Sequence, residues 1–136
     1  MKIALDAMGG DFAPEALVHG ALETLHEDST LELYLVGNED LIKEFLPVVQ
    51  PEQVHLMPTT QVVSMQDRGS RVLKEKPDSS LVRGIELLRD GVVDAFVSAG
   101  HTGAVLSSAA LLLGRIEGAR RPALGAYIPT DNGGKI

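Results

Sequence analysis

The 136-residue chain has no cysteine and no tryptophan, and its aromatic side chains are limited to two Tyr and three Phe. Without cysteine there is no disulfide framework, no thiolate nucleophile and no Cys-ligated zinc or iron–sulfur centre, and a reducing compartment is the natural setting. Positive charge is also scarce. Lys and Arg total 12 against 19 Asp and Glu, a net charge of −7, so no nucleic-acid partner bound through phosphate neutralisation is expected. Long hydrophobic runs are missing as well. Lys2 precedes a short apolar run, but Asp6 interrupts it before a signal-peptide core can form. Only Ala95–Gly114 reaches membrane-span length without a Lys, Arg, Asp or Glu. Ser98, Gly100, His101, Thr102, Gly103, Ser107 and Ser108 make it a poor span, and it reads instead as a buried strand, a turn and a buried helix.

What is present fits a folded domain. Apolar residues make up 44% of the chain, and the 14 glycines and 7 prolines follow no collagen-like period. No repeat or low-complexity linker divides the sequence, so residues 1–136 are expected to form one α/β domain. Charge is uneven along it: residues 1–68 hold 3 basic and 12 acidic side chains, residues 69–136 hold 9 basic and 7 acidic. Any cationic contribution to an anion site comes mainly from the second half, unless these charges are ordinary solvated surface.

Strand and helix signals alternate throughout. Lys2–Leu5 reads as a strand that leads through Gly9-Gly10 into a helix from about Pro14 to His26, since proline suits the first helical position. Leu31–Val36 is a second strand, after which Asn38 caps a short helix. Val54–Met57 is a third, and the stretch from Pro58 to Gln66 has no assignable pattern. A short helix around Arg71–Lys76 stops before Pro77. Asp78 or Ser79 then caps a helix over Ser80–Arg89, which Gly91 closes. Val92–Ser98 has the apolar character of a strand in the middle of a parallel sheet, covered on both faces. It turns at Ala99–Gly103 into an apolar helix ending at Gly114, and Ala123–Pro129 is a last strand. Such alternation predicts a three-layer α/β sandwich with a mainly parallel sheet and right-handed crossovers.

Ligands of open parallel sheets bind beyond the carboxyl ends of the strands. Two loops there are glycine-rich, Gly9-Gly10 and Gly100-His101-Thr102-Gly103. Glycine allows close backbone approach, and a helix N-terminus adds partial positive charge, so the two loops together form a candidate phosphate cradle. Either loop alone is equally a tight connection. Neither is G-x-G-x-x-G, Gly37-Asn38 lacks an acidic residue in the usual ribose-binding place, and Gly133-Gly134-Lys135 precedes Ile136 rather than Ser or Thr, so dinucleotide binding and nucleotide hydrolysis are not indicated. Asp6 and Asp11 flank the first loop. Paired carboxylates trade protons or bind metal, while an aspartate beside a glycine turn also ties down backbone N–H groups. His101, between two glycines, is a candidate donor of a hydrogen bond or proton to a bound anion, or an ordinary turn histidine. His19 and His26 are seven residues apart, not i,i+4, and His55 has no evident partner. No metal site and no cofactor are therefore proposed.

Lys2-Ile-Ala-Leu-Asp-Ala-Met-Gly-Gly-Asp-Phe-Ala-Pro14 resembles the N-terminal signature of the bacterial PlsX-type phosphate acyltransferases. Lys76-Pro-Asp-Ser-Ser80, Val97-Ser-Ala-Gly-His-Thr-Gly-Ala104 and Gly118-Ala-Arg-Arg-Pro-Ala123 with Pro129-Thr130 continue the resemblance in the family's order. It implies transfer of a fatty acyl group from acyl carrier protein to inorganic phosphate, giving acyl phosphate for phospholipid synthesis. It also implies an isocitrate-dehydrogenase/phosphotransacetylase-like fold and a homodimer that is cytoplasmic or membrane-peripheral. The different-class alternative is a non-catalytic phosphate- or nucleotide-binding α/β domain.

On the resemblance, phosphate lies against Gly9, Gly10, Gly100 and Gly103, with the Ser98 and Thr102 hydroxyls assisting. Lys76, Ser79 and Ser80 reach the same anion, unless the serines simply cap a helix. His101 and Asp6 are the catalytic candidates. Arg115, Arg120 and Arg121 are candidates for docking the acidic carrier protein, or ordinary surface charge. The sequence departs from the family's usual pattern at three positions: His101 replaces Asn, Phe12 replaces His and Gly69 replaces Pro. An Asn amide offers donor and acceptor together, whereas a neutral imidazole splits them between two nitrogens. Family members continue into a second lobe associated with dimerisation and membrane contact, so the chain is expected to be the N-terminal portion of a longer enzyme, with apolar surface left exposed.

Overall fold

A computed structural model describes residues 1–125 of the chain. Four parallel strands form one sheet in the order β3-β2-β1-β4: β1 Lys2–Asp6, β2 Glu32–Gly37, β3 Val54–Pro58 and β4 Ala95–Val97. Ala4 pairs with Tyr34 on one side and Phe96 on the other, which fixes the register of the two halves of the sheet. Five helices accompany the strands: α1 Glu15–Glu27, α2 Glu39–Lys43, α3 Val72–Glu75, α4 Ser80–Arg89 and α5 Thr102–Leu112.

The period-two alternation of the strands sends side chains to two cores. Leu33 and Leu35 of β2 join Val18, Ala21 and Leu25 of α1 and Ile42 of α2 on one face. Ala4 of β1 and Val36 of β2 face the other way, where Leu87, Leu88 and Phe96 pack on them. A further apolar cluster joins Val72 of α3, Leu81, Val82 and Ile85 of α4, and Ala104 of α5. The expected three-layer α/β arrangement is what these contacts form, with an all-parallel sheet among the described residues. Gly84 is the close approach that lets α4 seat on the sheet, because a Cβ there would stand 2.2 Å from the Phe96 ring.

Local signals account for the helix ends. Asn38 Oδ1 accepts the Leu41 N–H at 3.1 Å and starts α2. Gly91, at φ +69°, follows α4 in the left-handed conformation that glycine tolerates best. Helix α1 begins at Glu15 with Pro14 as its cap, one residue later than the proline rule implies.

Three expectations need correcting. The strand expected over Val92–Ser98 is only Ala95–Val97. Val92 and Val93 instead donate their N–H groups to Leu87 O and finish α4, and Asp94 Oδ2 accepts the Lys2 N–H at 2.7 Å. β4 is also an edge strand among the described residues, with Val97 49% exposed, rather than a central strand covered on both faces. Helix α5 buries only Ala104 and Ser108, and its Leu111 is 68% exposed, so it is not the buried helix its composition suggests. Of the strand expected over Ala123–Pro129, residues 123–125 are exposed and pair with no strand among the described residues, and the rest lies outside them. Among the described residues no helix is long and apolar enough to cross a membrane.

Candidate functional site

β1 lies between β2 and β4, so the chain builds the sheet outward from β1 in both directions. Helix α1 packs on one face and α4 on the other, which makes the gap between β1 and β4 a topological switch point. A cleft of about 450 Å³ opens there. Met8, Gly10 and Asp11 of the β1–α1 loop form one wall, and Ala99, Gly100 and His101 of the β4–α5 loop a second. Val62–Gln66, the stretch without a sequence pattern, forms a third.

A clasp holds the two glycine loops together. Asp6, 2% exposed at the end of β1, accepts the Met8 N–H through Oδ1 at 3.2 Å and the Ser98 hydroxyl through Oδ2 at 2.8 Å. Ser98 Oγ in turn accepts the Gly100 N–H at 3.1 Å. A Cβ on Gly9 would lie 2.6 Å from Asp6 Oδ2 and 2.9 Å from Gly100 N, so only glycine lets the first loop pass over the clasp. Gly10 has φ +106°, a second position where glycine is required. Among the described residues, no acceptor within the protein meets the N–H groups of Gly10, Ala99 or His101, and all three residues line the cleft. These are free donors at the N-terminal side of α5, the arrangement that suits an oxyanion. Asp11 is exposed on the rim, apart from the buried clasp, so the two aspartates do not form a shared-proton pair.

His101 caps α5. Its Nδ1 accepts the Ala104 N–H at 3.3 Å, and its Nε2 lies 3.0 Å from Asp67 O. A carbonyl has no proton to give, so Nε2 is the donor and the ring is the neutral Nε2–H form. The imidazole thus uses one nitrogen as acceptor and the other as donor, the division that distinguishes it from an Asn amide. Asp67 Oδ2 receives the Lys76 ammonium at 2.6 Å and the Ser64 N–H at 2.7 Å. Lys76, and then Ser64, hold the Asp67 carboxyl below its ordinary range, so the carboxylate form is favoured. Asp78 is lowered in the same way, first by the Thr60 hydroxyl at 2.6 Å.

The remaining candidates are not gathered at the cleft. Lys76 Nζ is spent on Asp67 and on Val62 O at 2.7 Å, behind the third wall. Ser79 and Ser80 are buried at the start of α4, where Ser79 Oγ accepts the Val82 N–H at 3.4 Å. Ser79→Ala is therefore expected to lower stability by about 1 kcal/mol in denaturant unfolding, as loss of an N-cap does, while anion uptake at the cleft stays unchanged. Thr102 is exposed on the first turn of α5, and Gly103 packs under Gly69 and beside the His101 ring. Arg115 donates to Arg120 O, and all three arginines are exposed beyond the other end of α5. An 11-residue helix is about 16 Å long, so they stand away from the cleft.

Asp67 and Val62–Gln66 are the parts of the site that sequence reasoning misses. The available signal was Asp67 nine residues before Lys76 in an unpatterned stretch, too far apart for any helical pairing rule.

A family model described as fatty acid synthesis protein matches residues 1–136. The phosphate acyltransferase of Dictyoglomus turgidum is 48% identical over 132 residues, covering 96% of this chain and 39% of that protein. Those of Desulfitobacterium hafniense and Caldanaerobacter subterraneus are 45% and 41% identical over 100% of this chain, covering 41% and 40% of their own lengths. The chain thus spans about 40% of the length of the curated relatives it matches.

Proposed function

The chain belongs to the fatty acid synthesis protein family, and from that premise we propose that it carries the phosphate-holding site of an enzyme that moves a fatty acyl group from acyl carrier protein to inorganic phosphate. The observation that supports this reading best is the pair of glycine loops tied by Asp6 and Ser98, with the free N–H groups of Gly10, Ala99 and His101 lining one cleft. Phosphate is nucleophilic at neutral pH. Its oxygen attacks the thioester carbonyl carbon, the C–S bond breaks from the tetrahedral intermediate, and the carrier thiolate takes up the proton that monohydrogen phosphate gives up.

Such a reaction asks the protein chiefly for positioning and for donors to developing negative charge. In this reading the glycine-loop N–H groups hold the anion. Asp6 and His101 keep those donors in place, since both already have their polar atoms engaged within the protein. Arg115, Arg120 and Arg121 are the docking surface for an acidic carrier, which then delivers its thioester over the length of α5. The same reading extends to a cytoplasmic homodimer with peripheral membrane contact.

Amide NMR during titration with inorganic phosphate tests the cradle. Gly9–Asp11 and Ala99–Gly103 are expected to shift together and saturably, and shifts confined to Arg115–Arg121 would sink it. Loss of acyl carrier protein thioester only when phosphate is added tests the transfer itself. Phosphate uptake without that loss would leave this chain a binding module.

A further inference from the structure

Loop 59–68 forms the wall opposite the glycine loops; Thr60 and Gln61 tie its start to Asp78, and Asp67 fastens its far end. Asp67 Oδ2 takes the Lys76 ammonium, the Ser64 N–H and the Ser64 hydroxyl, while Lys76 Nζ also donates to Val62 O. The Asp67 main-chain carbonyl accepts His101 Nε2, whose other nitrogen caps α5 at Ala104. Just beyond, Gly69 presses on the same turn: a Cβ there would lie 2.6 Å from Gly103 C and 2.7 Å from Ala104 N. The hydrogen bond from the wall to the start of α5 runs through Asp67, and Val63 packs against the apolar cluster that includes Ala104.

We infer that Lys76, Asp67 and His101 act as one clamp that sets the width of the cleft, so that Asp67 strengthens phosphate binding although its charge opposes an anion. The inference rests on the phosphate reading of this cleft and adds positioning roles to it. Asp67 and Lys76 touch no substrate; they act through the wall and through His101. A direct contact between Lys76 and phosphate makes the opposite forecast for Asp67, because removing the carboxylate would free the ammonium for the anion.

Titrating inorganic phosphate into variants of this chain separates the two. Asp67→Asn and Lys76→Met are each expected to weaken binding about tenfold, the size of one lost charge-assisted hydrogen bond. The double variant should lose no more than either alone, since both break one unit. Asp11→Asn, which removes a rim charge without touching the clamp, is expected to tighten binding. Equal or tighter binding in Asp67→Asn overturns the clamp. A second readout needs no phosphate. Exchange of the Ala104 amide should quicken in Asp67→Asn and Lys76→Met, and the protonated Nε2 and bare Nδ1 signals of His101 should begin to average. Unchanged exchange and ring signals would also overturn it. Should the wild-type chain take up no phosphate at all, the proposed function fails, while the Ala104 and His101 signals still decide the clamp.

Discussion

Gly9→Ala is expected to weaken phosphate binding by more than about tenfold while leaving the helical content intact. The added Cβ would sit 2.6 Å from Asp6 Oδ2, 2.9 Å from Gly100 N and 3.0 Å from Asp6 Cγ. Neither contact yields easily, because the carboxylate is buried and bonded on both oxygens and the other atom is backbone. The loop must lift off the clasp, at a strain of about 1–3 kcal/mol for overpacking. Lifting it also separates Gly10 from Ala99, whose Cβ is within 3.4 Å of where a Gly10 side chain would begin. Donors that no longer converge lose the anion by more than about tenfold, since a single helix end supplies only about 0.3–1 kcal/mol. Gly20→Ala is the matched control. Nothing lies within 4 Å of a Cβ there, in the middle of α1, so the chain should gain about 0.5–1 kcal/mol and bind as before. Phosphate affinity in Gly9→Ala equal to that of Gly20→Ala, measured by calorimetry, would show that the glycine loops are not the cradle.

The elements that carry this site were legible to different degrees, for physical reasons. Ile3 and Leu5 against Ala4, and Val18, Ala21 and Leu25 along α1, bury through local periodicity, and periodicity is written in the sequence. Asn38 and Ser79 cap helices through bonds three residues away, equally local. The apolar run Val92–Ser98 misleads because a continuous hydrophobic stretch states that it is covered, not by what. Its first residues serve the end of α4, and only three remain for the sheet. Wall 62–66 was illegible for the converse reason. Its fasteners, Lys76 and His101, come from 9 and 34 residues beyond Asp67, and no local pattern records them. The glycine loops were legible from their place after two strands, and so was the tie of Asp6 to a nearby backbone N–H, but the Asp6–Ser98 and His101–Asp67 bonds were not, since each depends on a partner placed by the fold. Asp6 and Ser98 are 92 residues apart and meet only because β4 pairs with β1.

Asp6→Ala is expected to weaken phosphate binding more than about tenfold and to lower stability by about 2–3 kcal/mol, through the Ser98 hydroxyl and Met8 N–H that lose their acceptor. That corresponds to a fall in Tm of roughly 6–10 °C for a chain of this size. The direction on binding is the informative part. A buried carboxylate beside an anion site repels the ligand, so if charge alone mattered, its removal would tighten binding. Loss of affinity instead follows if the clasp aims the N–H groups. Asp6→Asn sharpens the comparison. Its Oδ1 still accepts the Met8 N–H, but Nδ2 must face Ser98 Oγ, which then accepts from both Asn and Gly100 and has no acceptor for its own proton. The desolvation cost of a buried charge disappears at the same time, so stability should stay within about 1 kcal/mol of wild type. Ser98→Ala removes the other half of the clasp, and combining it with Asp6→Ala leaves no orphaned hydroxyl. The double variant is therefore expected to be less destabilised than the two single effects added together. Strict additivity in denaturant unfolding, with phosphate affinity unchanged in Asp6→Ala, would mean that the clasp neither joins the two loops nor positions their donors.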